Sequence, residues 1–195
     1  MRLFVAVAPP AEVLDEMEAA CAPLRSGRED LRWTSREAWH VTLAFLGEVA
    51  ETSANRLLPR LERAAWRHQQ FALAFAGAGA FPAAGRANVL WSGLSGDRRA
   101  LAELAASVNA AATRAGAEPP DRGRRFRPHL TLARCRAPAD VRTLVARLDG
   151  YHGRPWTADE IFLIHSHLGG RPRFQTLGNW PLRVPDPSVT GAREP

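Results

Sequence analysis

His40-Val41-Thr42-Leu43-Ala44 returns 89 residues later as His129-Leu130-Thr131-Leu132-Ala133. In a chain of 195 residues with six histidines and nine threonines, one H-x-T triplet is expected by chance about 0.3 times. Two copies, each with an apolar residue inside and Leu-Ala behind, are an internal repeat. Both stretches read as strands, on which residues i and i+2 face the same way. His40 therefore stands beside Thr42 and His129 beside Thr131, while Val41, Leu43, Leu130 and Leu132 turn into apolar packing. The polar faces must border a cavity or groove.

If the two halves of the chain face each other, the repeat brings two imidazoles and two hydroxyls to one cleft. That set suits general acid-base chemistry on a phosphate: one imidazole takes a proton from a nucleophile and the other gives one to the leaving group. The hydroxyls can hydrogen-bond non-bridging oxygens. Arg134, just past Ala133, can clamp a phosphate and stabilise charge on a pentavalent phosphorane. No counterpart follows the first motif, where Phe45-Leu46-Gly47 stands. Metal ligation is the competing use of two histidines, but only Glu48 lies near either motif as an acidic ligand, so no metal and no cofactor are expected.

Outward from the repeat, strands and helices are interleaved. Strands are predicted over Arg2–Ala8, Leu31–Thr34, Trp39–Leu46, His129–Ala133, Trp156–His165 and Phe174–Leu177, with a hairpin of Phe71–Ala78 and Ala87–Leu94 around a Gly/Pro turn. Helices are predicted over Pro10–Leu24, Ala50–His68, Asp97–Ala115 and Pro138–Leu148. In the second, Leu57, Leu58, Leu61, Ala65 and Trp66 form the apolar stripe and Arg56, Arg60, Arg63 and Arg67 the solvated face; Gly116 stops the third. Several strand connections are too short for parallel crossovers. The class is α+β with largely antiparallel sheets, one domain over residues 1–183 and a flexible tail over 184–195.

No apolar run approaches the roughly 20 residues of a membrane helix. Leu3–Ala8 is about half a signal-peptide core with no cleavage site behind it. A soluble, cytoplasmic monomer without membrane contact is expected. Cys21 and Cys135 lack disulfide or zinc spacing and read as small buried hydrophobes. Net charge is +6, and all 26 basic residues are arginine. Arginine keeps its charge and matches phosphate geometry, which favours a phosphate-bearing partner.

At these residues the chain resembles the 2H phosphoesterase superfamily, specifically its bacterial and archaeal RNA 2′,3′-cyclic phosphodiesterase branch, also called 2′-5′ RNA ligase. The likeness rests on Leu3-Phe4-Val5-Ala6-Val7 before a proline, Arg32-Trp33 leading to the first motif, Phe126-Arg127-Pro128 leading to the second, Arg134 behind it, and Trp180-Pro181-Leu182. It implies a bilobal fold with an antiparallel sheet and flanking helices in each of two pseudo-symmetric lobes, and the active site in the groove between them. It also implies metal-independent hydrolysis of an RNA terminal 2′,3′-cyclic phosphate to a 2′-phosphomonoester, with weak 2′-5′ ligation of tRNA halves. Carried over, His40 is the proton donor, His129 the proton acceptor, and Thr42, Thr131 and Arg134 hold the phosphate. Phe174 stands where the family pattern has a tyrosine, removing a hydroxyl there.

Trp33, Phe45, Phe81 and Arg127 are candidate substrate contacts, and Arg122 to Arg127 form a basic loop beside His129. His165 and His167 repeat the i, i+2 spacing without the flanking motif and read as structural. Two alternatives stay open: a phosphodiesterase for small cyclic nucleotides or ADP-ribose cyclic phosphate, and a non-catalytic RNA-binding module.

Overall fold

A computed structural model describes residues 1–118, 120, 125–167 and 173–185. Strands are β1 (Arg2–Val7), β2 (Leu31–Trp33), β3 (Val41–Glu48), β4 (Phe71–Ala83), β5 (Arg86–Gly96), β6 (Leu130–Ala139), β7 (Trp156–Ala158), β8 (Glu160–Ser166) and β9 (Phe174–Pro181). Helices are α1 (Ala11–Cys21), α2 (Glu51–Trp66), α3 (Arg98–Ala115) and α4 (Arg142–Leu148). The strands form one sheet in the order β7-β4-β5-β6-β3-β1-β8-β9, with β2 paired to β6, and all named strand pairs are antiparallel. The class is α+β, as expected from the sequence.

The repeat organises that order. β3 and β6, which carry Thr42 and Thr131, lie side by side at the centre, and each leads an arm of three further strands: β1, β8 and β9 on one side, β5, β4 and β7 on the other. The two strands meet through Val41 and Leu130, both 0% exposed, so the seam is held by buried apolar side chains. Asp159 alone separates β7 from β8, although the two belong to opposite arms. The sheet must therefore curl until its β7 edge approaches β8. Backbone bonds from Leu182 to Asp159, from Arg183 to His68 and from Gln70 to Arg183 tie that curl.

α2 and α3 pack on each other and over one arm; the Asn109 side chain donates to the Leu43 carbonyl. α4 lies against β4 on the other arm. Gly116 ends α3 at φ 77, the left-handed conformation glycine adopts without steric cost. At Gly79 a Cβ would stand 2.2 Å from the Trp91 ring; only glycine lets that indole lie across β4.

Local boundaries depart from the sequence expectation where pairing overrides propensity. The predicted helix from Pro138 starts at Arg142, because β6 continues to Ala139 and Ala139 pairs with Ala87. The predicted strand Trp156–His165 is split into β7 and β8. In α2 the buried stripe is Ala54, Leu57, Leu61, Ala64 and Ala65, while Trp66 is 67% exposed and borders a shallow groove with Trp180 and Pro181. Cys21 is buried as expected, and Cys135 is only half-buried. No described helix is long and apolar enough to cross a membrane. Arg122, Arg124 and residues 186–195 lie outside the described residues.

Candidate active site

Because β3 and β6 run antiparallel with Val41 opposite Leu130, extending the register by one residue sets His40 opposite Thr131 and Thr42 opposite His129. All four side chains line one cleft of about 260 Å³. The repeat thus places each imidazole across the seam from the hydroxyl-bearing residue of the other motif.

Both rings are oriented by the same local device. His129 Nδ1 lies 2.7 Å from the Arg127 carbonyl, two residues back. A carbonyl only accepts, so Nδ1 carries the proton and Nε2 is left for the cleft. His40 is bonded to the Ala38 carbonyl, also two residues back. Aromatic rings wall each imidazole: Phe4 stacks on His40 at 4.6 Å and Phe174 meets its edge at 5.7 Å, while Phe81 and Trp91 stand 5.0 and 6.3 Å from His129.

This packing sets the proton affinities. Burial pushes the His40 pKa down to about 4, with His129 and Arg134 adding to the effect and the Ala38 carbonyl opposing it. Burial and then Arg134 also lower His129, against the Arg127 carbonyl. Both rings are held towards the neutral form.

Arg134 reaches the cleft through a bulge. Trp91 pairs with Thr131 but Leu90 with Ala133, so β6 carries one extra residue at Leu132. In a regular strand a residue five after His129 would face away; the extra residue returns Arg134 to the polar side. Arg32, opposite Arg134 on β2, and Arg173, beside Phe174, complete a trio of guanidinium groups on the cleft. Partial burial and then Arg173, Arg32 and Arg2 pull the Arg134 pKa below its ordinary value.

Of the residues singled out from sequence, His40, Thr42, His129, Thr131, Arg134 and Trp33 line the cleft. Phe45 does not; the Arg2 guanidinium covers its ring at 5.1 Å. Arg127 contributes its carbonyl, and its side chain is exposed. Phe81 acts on the His129 ring. His165 and His167 lie against each other, ring centroids 4.0 Å apart, outside the cleft lining. Sequence reasoning missed Arg173, Ser35, Phe4 and Trp91 as site residues. Their positions depend on which strands become neighbours; Phe4 lies inside the Leu3-Phe4-Val5-Ala6-Val7 stretch, but nothing in that stretch ties its ring to His40. Among the described residues, no group of three or more His, Cys, Asp or Glu side chains could hold a metal ion.

Residues 8–170 match the 2′-5′ RNA ligase superfamily. The chain belongs to that superfamily. An Archaeoglobus fulgidus RNA 2′,3′-cyclic phosphodiesterase is 35% identical over 134 residues, 69% of this chain and 72% of its own. The Escherichia coli K12 enzyme of the same name is 29% identical over 93% of this chain and 96% of its own. Among solved structures, a Thermus thermophilus protein superposes with TM-score 0.79 at 28% identity, covering 94% of this chain and 99% of its own. Escherichia coli LigT in apo form gives 0.75 at 28% identity, over 93% and 97%. The paired H-x-T strands are thus set in a LigT-like fold, the architecture expected from sequence.

Proposed function

We propose that this member of the 2′-5′ RNA ligase superfamily hydrolyses the 2′,3′-cyclic phosphate at the end of an RNA to a 2′-phosphomonoester. The observation that carries the reading is the gathering of His40, Thr42, His129 and Thr131 on one cleft, on either side of the Val41–Leu130 pair. The names of its relatives support it: several are RNA 2′,3′-cyclic phosphodiesterases, and LigT has been solved with 3′-AMP, ATP and phosphate.

In the proposed reaction the cyclic phosphate lies between the two imidazoles. Thr42, Thr131 and Arg134 bind its non-bridging oxygens, where charge accumulates as phosphorus becomes five-coordinate. His129 Nε2 accepts a proton from the attacking water; the P–O3′ bond breaks, and His40 protonates the departing O3′. The 2′ oxygen keeps the phosphate. His40 can serve as donor because an anionic phosphate against the ring opposes the burial that keeps it neutral, raising its pKa from about 4. If a 5′-hydroxyl of a second RNA replaces water and attacks with O3′ leaving, the same groups make a 2′-5′ bond. That is the proposed weak ligase activity, with tRNA fragments as one substrate, in a monomeric cytoplasmic protein.

Incubation of chelator-treated protein with an RNA ending in 2′,3′-cyclic phosphate, followed by assignment of the product phosphate, tests the reading. A 2′-phosphate is expected. A 3′-phosphate would reverse the proposed leaving group, and turnover that depends strictly on added metal would overturn the mechanism.

A further inference from the structure

Three guanidinium groups, from Arg32, Arg134 and Arg173, converge on the cleft, and among the described residues its lining contains no carboxylate. Among those residues none of the three has an ion-pair partner, whereas Arg25, Arg28 and Arg36 elsewhere are each paired with an acidic side chain. Like charges gathered without a counter-ion repel one another and raise the cost of the ligand-free state. Such an arrangement is offset when an anion of matching charge enters.

A 2′,3′-cyclic phosphate is a diester with one negative charge. Arg134, on the polar side of β6 with Thr131, is placed to neutralise it. That leaves Arg32, across from Arg134 on β2, and Arg173, at the mouth of β9. Both side chains are exposed, and neither lies on a motif strand. We propose that Arg173 and Arg32 form a second anion subsite that binds the next phosphate of the substrate, the internucleotide phosphate on the 5′ side of the terminal ribose. This rests on the hydrolase reading and extends it: the cleft discriminates RNA ends from bare nucleoside cyclic phosphates by counting phosphates. Burial is the main cause of the lowered Arg134 pKa, and Arg173, Arg32 and Arg2 lower it further, in keeping with their proximity.

The test compares binding of adenosine 3′-monophosphate and adenosine 3′,5′-bisphosphate by calorimetry at fixed ionic strength. The wild type should bind the bisphosphate about tenfold more tightly, the scale of one charge-assisted phosphate contact. In Arg173→Gln and Arg32→Gln the ratio should fall to within about twofold. Arg67→Gln, just past α2 and away from the cleft, should keep it and so control for net charge. Thermal melts verify that the variants fold. Equal affinity for the two probes in the wild type overturns the inference, as does a preference that Arg173→Gln and Arg32→Gln leave intact. Turnover of a cyclic-phosphate RNA is measured on the same preparations. Turnover without the bisphosphate preference removes only the second subsite; the preference without turnover removes the hydrolase reading and leaves a two-anion site standing.

Discussion

Thr131 and Arg134 share the polar side of β6 although strict alternation would send them to opposite sides; the extra residue between the Thr131–Trp91 and Ala133–Leu90 pairs makes up the difference. A hydroxyl and a guanidinium group three residues apart can then address one phosphate together.

Arg134→Ala should reduce kcat/KM by about ten- to a hundredfold, the range of a lost charge-assisted contact. Arg134→Lys should recover only part of this, since an ammonium cannot present the planar fork. Steady-state kinetics on a cyclic-phosphate RNA checks both; full activity in Arg134→Ala would remove it from the phosphate site.

Either histidine truncated to alanine should lose about 10²- to 10⁴-fold in turnover, with circular dichroism unchanged because both side chains border the cleft rather than the core. A fully active His40→Ala or His129→Ala protein would contradict the acid-base pair.

The seam should be the mechanical weak point. Leu130 is fully buried and is the Cα partner of Val41, where the motif strands meet. Leu130→Ala is expected to cost about 2–5 kcal/mol of unfolding free energy. It should also lower kcat in the remaining folded protein by loosening the His40–Thr131 alignment. Urea melts read alongside kcat test this, and an unchanged kcat would uncouple the seam from the site.

His40 should titrate with a midpoint near 4 in the ligand-free protein, followed by the imidazole proton resonances. Inorganic phosphate should move that midpoint upward; no movement would argue against an anion bound against the ring. Because the folded-state pKa lies below the ordinary 6.5, the unfolded chain takes up a proton there before the folded one does. Stability should therefore fall as the pH drops from about 6.5 towards 4, by at most about 3 kcal/mol from this group. His40→Gln, which cannot be protonated, should lose less over the same range in denaturant melts.

The catalytic quartet was legible because it is local. A two-residue alternation puts each imidazole beside a hydroxyl whatever the strand's neighbours are, and the duplicated His40-Val41-Thr42-Leu43-Ala44 pattern identifies both strands at once. Helix periodicity likewise located α2 and α3, and Gly116 marked the end of the latter. Other features are not local. Arg134 enters the cleft through a bulge, Arg173 and Phe174 arrive from β9, and Arg32 from β2, because the sheet curls and pairs β2 with β6. Phe45 lies under Arg2 and outside the cleft, and sequence alternation had no means of distinguishing it from Phe4. Pairing register and sheet closure arise from packing the whole apolar core at once, with contributions from residues more than a hundred positions apart. The strands could be read from neighbouring residues, whereas the aromatic walls and the guanidinium trio came into being only when the two arms closed on each other.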